Sequence, residues 1–143
     1  MQVFNKAEII SELNKNVTAF NQYISTAYGL PGFLLKIMFG KTNRSSKTFD
    51  GLVEKYKSKL LAGGKARGRF VPPAVLYDQK NKLMAEYKHL EEKLIKKINR
   101  WREEELDYYV LPHPLLGKRT LREMLFFTIY HNEHHLELLR RRK

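Results

Sequence analysis

The chain has 143 residues, 43% hydrophobic and 12% aromatic, enough for one domain with a sizeable core rather than a disordered segment. It has no cysteine, which excludes disulfides, thiolate metal sites and a cysteine nucleophile; any metal must be held by nitrogen and oxygen. With 27 Lys and Arg against 15 Asp and Glu the formal charge is +12, which favours an anionic partner such as nucleic acid, an acidic membrane or an anionic metabolite.

The opening MQVFNKAEII lacks the basic start, apolar run and small-residue cleavage site of a signal peptide. No apolar run approaches the ~20 residues that span a bilayer. A soluble, cytoplasmic protein without a membrane partner is therefore expected. Asn5 can cap a first helix with Glu8 three residues on, and Ile9, Leu13, Val17, Phe20 and Ile24 follow at three- and four-residue steps. Tyr28, Gly29, Leu30, Pro31 and Gly32 break that pattern. A short apolar helix over residues 33–39 is stopped by Gly40, and residues 41–49, KTNRSSKTF, read as a basic loop. Residues 50–61 form the next predicted helix, with Leu52, Val53, Tyr56 and Leu60 inward and Gly63-Gly64 ending it.

KARGRFVPPAV is a long loop of the kind that is often functional. Beyond it, Asp78 can cap a helix that carries Leu83, Tyr87, Leu90, Leu94, Ile98 and Trp101 on one stripe. YVLPHPLLGK reads as a turn-rich connection. Thr120 and Glu123 then have the spacing of a capping box that opens a last helix over about residues 121–140. No β-alternation is evident, so the expected fold class is all-α, most simply an antiparallel helical bundle.

The last helix holds three of the five histidines within five residues. Residues four apart on a helix are separated by about 40° and one turn, so His131 and His135 point the same way and can share a metal, whereas His134 splays aside. Two neutral imidazoles on an inward face suit Zn²⁺, Ni²⁺ or Fe²⁺. Hydrogen-bonded core packing is the competing explanation, and two ligands alone do not make a tight site. Asn132 stands where a His-Glu-x-x-His metalloprotease requires glutamate, and Glu133 lies about 200° from His131. Only Glu86 to His89 has di-iron spacing, and His89 falls opposite the apolar stripe. His113, between two prolines, is an alternative third ligand if its loop folds over the bundle, or else a capping or packing residue. The serines show no nucleophile-elbow context. The basic residues, Lys41 to Arg69 and then Arg140 to Lys143, show no zinc-finger or RNP-type pattern, so a solvated surface is the simpler explanation for them.

The segment HPLLGKRTLREMLFFTIYHNEHHLELL, residues 113–139, resembles the C-terminal signature of the DinB/YfiT-like superfamily of bacterial four-helix bundles. That signature has a His-Pro-x-x-Gly turn, then a helix with two histidines four apart and often an extra histidine before the second. LVEKYKSKLLAGGKARGRFVPP resembles the middle of one DinB-like subgroup, so the likeness covers most of the chain after Ser46. The resemblance implies a single four-helix-bundle domain over residues 1–143, often homodimeric. It also implies a divalent metal held by three histidines, two of them matching His131 and His135. Some members are thiol-dependent S-transferases or maleylpyruvate isomerases, in which the metal activates a small thiol. His134 and His113 would then be outer-sphere residues or alternative ligands. The family's third histidine lies on the second helix, whereas here the chain runs through YISTAYGLPG with no histidine. The resemblance implies either that this helix and its ligand are lost or that a stretch between Ser25 and Tyr28 is left out of this sequence. The leading expectation is a metal-dependent transferase or hydrolase acting on a small, anionic substrate. The rival is a non-catalytic basic bundle that binds an acidic partner or nucleic acid.

Overall fold

The computed structural model of the protein describes residues 30–65, 71, 74 and 76–141. The first predicted helix, the Ser25–Tyr28 junction, most of the basic loop after Lys65, and Arg142 and Lys143 lie outside the described residues. The described chain is mostly helical, with five α-helices and one two-stranded antiparallel hairpin.

Helix α1, Gly32–Phe39, buries Leu35 completely and ends where Gly40 adopts φ of 81°, a left-handed conformation that favours glycine. Helix α2, Phe49–Leu61, is capped by Thr48, whose hydroxyl accepts the Gly51 N–H at 3.1 Å. It turns Leu52 and Tyr56 into the core, with Leu60 half-buried at the edge. A 3-10 turn, Tyr77–Gln79, leads into α3, Lys80–Ile98, which buries Leu83, Leu90 and Leu94 as its apolar spacing predicts. Asp78, expected to cap α3, lies inside that turn instead. The entry is closed by Gln79, whose side-chain oxygen accepts the Leu76 N–H at 3.3 Å. Trp101 falls beyond the end of α3, half-buried and edge-on to Tyr109 with ring centroids 5.6 Å apart.

The connection read as a turn-rich loop is more ordered than that. It contains helix α4, Glu103–Tyr108, and then strands β1, Val110–His113, and β2, Gly117–Thr120, paired antiparallel with Leu111 opposite Arg119 and His113 opposite Gly117. The expectation of a purely α chain is corrected accordingly. The hairpin escapes a search for alternation because each strand has four residues and burial comes in adjacent pairs. Val110 and Leu111 are 3% exposed, and Arg119 and Thr120 are also buried, since elements pack against both faces at the open end. Helix α5, Leu121–Arg141, follows β2 without a break and packs against α2, α4 and the hairpin. One apolar cluster joins Leu35, Leu52, Leu90, Leu106, Leu121 and Phe127 with neighbours from every helix.

The basic loop between α1 and α2 is tied to the start of α5. The predicted capping box is present: Glu123 N–H donates to Thr120 Oγ1 at 3.1 Å, and Thr120 N–H donates to Glu123 Oε2 at 2.8 Å. Glu123 does more than cap, however. It is fully buried, and its carboxylate also accepts Arg44 Nη1 at 2.6 Å, Arg44 Nη2 at 2.9 Å and the Lys47 N–H at 2.8 Å. Beside it, Ser46 donates to Asp107 at 2.6 Å and shares a hydrogen bond with Thr120 at 2.8 Å. Arg122 Nε reaches Asp107 at 2.7 Å.

Candidate metal centre

Met124, Phe127, Thr128, His131 and His135 recur at three- and four-residue steps and form the inward face of α5. Met124, Phe127, Thr128 and His135 are buried, and His131 is half-buried at the margin. The Thr128 hydroxyl donates back to Met124 O at 2.9 Å, so it is satisfied inside its own helix. Asn132 Nδ2 donates to the Tyr87 hydroxyl at 3.0 Å and fixes this part of α5 to α3.

The two histidines expected to act together are brought together. Their Nε2 atoms are 2.9 Å apart, and the ring centroids are 4.3 Å apart at 81°. Two nitrogens bound to one ion at about 2.1 Å lie about 3.0 Å apart at a right angle and about 3.4 Å apart in a tetrahedron. The observed separation suits a shared ion with the two rings at adjacent positions. It equally suits one ring donating N–H to the other. Among the described residues no group of three or more His, Asp or Glu converges as a metal cage. The pair therefore offers two ligands, and the remaining positions would fall to water, substrate or residues outside the described set.

His134 lies beside the pair without joining its direction, as its 100° offset predicts. Its ring is 5.4 Å from that of His135, 5.8 Å from Tyr130 and 6.3 Å from Tyr56. Burial, with a smaller effect of Tyr130, pushes the Tyr56 phenol up to about 12, so it keeps its proton throughout the physiological range. His89 is exposed on α3.

His113 is placed by the hairpin. It is buried, with its ring 4.4 Å from Phe127, whose ring is in turn 5.2 Å from His131. Its Nδ1 accepts the backbone N–H groups of Leu115 and Leu116, both at 3.1 Å. Burial first, and the charge of Arg119 second, push its pKa down to about 4, so the ring is neutral at physiological pH. A neutral ring whose Nδ1 accepts must carry its proton on Nε2, where it is a donor. The His-Pro-x-x-Gly turn thus uses its histidine to close the hairpin. The ring packs on Phe127, which in turn packs on His131.

The charged cluster around Glu123 is not legible in the sequence. Arg44 and Ser46 sit in a stretch that looks like any basic loop, and Glu123 looks fully employed as a cap. The available signal was the acid itself: one carboxylate on the buried side of a helix start, in a chain of +12, needs a cation.

No curated protein and no solved structure matches the chain. The DinB superfamily pattern matches it from residue 33 to residue 139, from the second residue of α1 to the last turns of the histidine helix. On that extent, well over half its length, the chain belongs to the DinB superfamily.

Proposed function

We propose that His131 and His135 hold a divalent metal ion, of the Zn²⁺, Ni²⁺ or Fe²⁺ class, for a metal-dependent reaction on a small anionic substrate. A thiol transfer is the favoured reaction and a hydrolysis the other. The 2.9 Å approach of the two Nε2 atoms on an inward helix face carries this reading. When bound, the ion would supply Lewis-acid chemistry and lower the pKa of a thiol or water.

The chain's own residues do the rest. Phe127 and the buried face of α5 exclude bulk water from one side of the pair. Asn132 and Tyr87 hold the helix segment in place. His134, between the protonated Tyr56 phenol and His135, is positioned to relay a proton to a leaving or attacking group. This reading takes residues 1–143 as one antiparallel four-helix-bundle domain, cytoplasmic and homodimeric. Light scattering at two concentrations tests the dimer.

Elemental analysis of the untagged protein beside its His131→Ala/His135→Ala variant tests the metal. A near-stoichiometric ion that disappears in the variant is expected. A wild type that stays empty after incubation with Zn²⁺ and Ni²⁺ would mean that the pair is core packing.

A further inference from the structure

Arg119 stands opposite Leu111 on the hairpin, on the face that also carries His113. It is 8% exposed, and its Nε and Nη1 are buried with no hydrogen-bond partner among the described residues. A buried guanidinium with open donors is costly, and natural structures seldom leave one so. The nearby carboxylate cannot satisfy it. Glu123 Oε2 is 4.0 Å from Arg119 Nε, beyond hydrogen-bond range. Glu123 also has no capacity left: Oε1 accepts Arg44 Nη1 and the Lys47 N–H, and Oε2 accepts Arg44 Nη2 and the Thr120 N–H.

The charge around Arg119 is also in surplus: its ion pair with Glu123 is a loose one at 4.0 Å, and that carboxylate is already bound by Arg44. Lys55 of α2 is pushed below the ordinary lysine value by burial and then by the cations Arg119, Lys47, Lys59 and Arg44. Arg119 is itself lowered by burial, with Glu123 opposing and Arg44 adding to the effect. An anion bound here would offset that surplus. A planar guanidinium with an ammonium nearby suits oxygens that spread a negative charge.

We propose that Arg119, assisted by Lys55, seats a small oxyanion on the inner face of the hairpin: the carboxylate or phosphate group of a small-molecule ligand. On this side of the hairpin the His113 ring packs on Phe127, and Phe127 in turn packs on His131. A substrate anchored there by its anionic end would extend its reactive end toward His131 and His135. This placement rests on the metal-centre reading, whereas the binding itself needs no metal.

Isothermal titration of the whole, metal-free chain with inorganic phosphate and with succinate, at constant ionic strength, tests the proposal. Saturable binding of at least one probe is expected: phosphate alone identifies a phosphoryl ligand, and succinate alone a carboxylate. Arg119→Gln should weaken it about tenfold or more, the loss of one charge-assisted pair. Lys118→Gln, which removes the same charge from the exposed neighbour on β2, should leave it within about twofold. Should Arg119→Gln fail to fold, Lys55→Gln on the half-buried face of α2 serves instead, with a loss of about threefold or more. Binding should persist in His131→Ala/His135→Ala, which separates this site from the metal. No saturable binding by the wild type, or an equal loss in Lys118→Gln, would overturn the proposal.

Discussion

Glu123→Gln is the sharpest perturbation of the fold. The wild-type carboxylate is fully buried and accepts four hydrogen bonds, two on each oxygen, from Arg44, Lys47 and Thr120. Burial alone would push its pKa up, but the bonds from Arg44, Lys47 and Thr120 outweigh that and hold it below the ordinary carboxylate value. The amide is isosteric, but one of its two ends becomes a donor facing two donors. Removing one partner of a buried ion pair costs ~3–5 kcal/mol. The Arg44 side chain is 35% exposed, and solvent takes part of that back, so about 3 kcal/mol is expected. Trp101, the one tryptophan, reports urea unfolding from its half-buried place against Tyr109. With a slope of about 2 kcal/mol/M, the midpoint should fall by about 1.5 M. Arg44→Gln should cost less, about 1–2 kcal/mol, because both backbone bonds to Glu123 survive and Arg119 stands 4.0 Å from the vacated oxygen. A Glu123→Gln midpoint within 0.5 M of wild type, or a larger loss in Arg44→Gln, would refute the view that this carboxylate clamps the loop to α5.

Stability should also depend on pH through His113. Its folded pKa of about 4 lies below the ordinary 6.5, so below 6.5 the unfolded chain takes up a proton that the folded chain refuses. Stability should therefore decline as the pH falls from about 6.5 to about 4, by about 3 kcal/mol, and His113→Gln should flatten the urea midpoint in that window. The contribution of Glu123 belongs to a lower window: fully present above 4.5, it is lost as the pH falls through the depressed folded value, and Glu123→Gln should lack that limb. Gly32→Ala should destabilise by ~1–3 kcal/mol in thermal melts, since its Cβ would fall 2.5 Å from the Tyr109 ring where a core contact already exists. An unchanged melting temperature would show that Tyr109 yields without cost.

Local chemistry was enough to place most of the helices and the pair of candidate ligands. Gly40 and Gly63 end the two helices before them through positive φ, and Thr120 with Glu123 opens α5, because turns and caps depend on residues close in the chain. The shared direction of His131 and His135 follows from helix geometry alone, and the His-Pro-x-x-Gly turn with that pair marked the family later matched over residues 33–139. The hairpin, the tautomer of His113 and the surroundings of Arg119 were decided only by tertiary structure. Strands of four residues have too little period to show in a sequence, and a histidine's proton depends on which backbone groups fold back to it. Arg44 and Glu123 are 79 positions apart, and a charge acquires its meaning from what the fold brings within a few ångströms of it. For the same reason Arg119 reads in sequence as one more cation among 27, and in the fold as a buried guanidinium with two donors that lack hydrogen-bond partners.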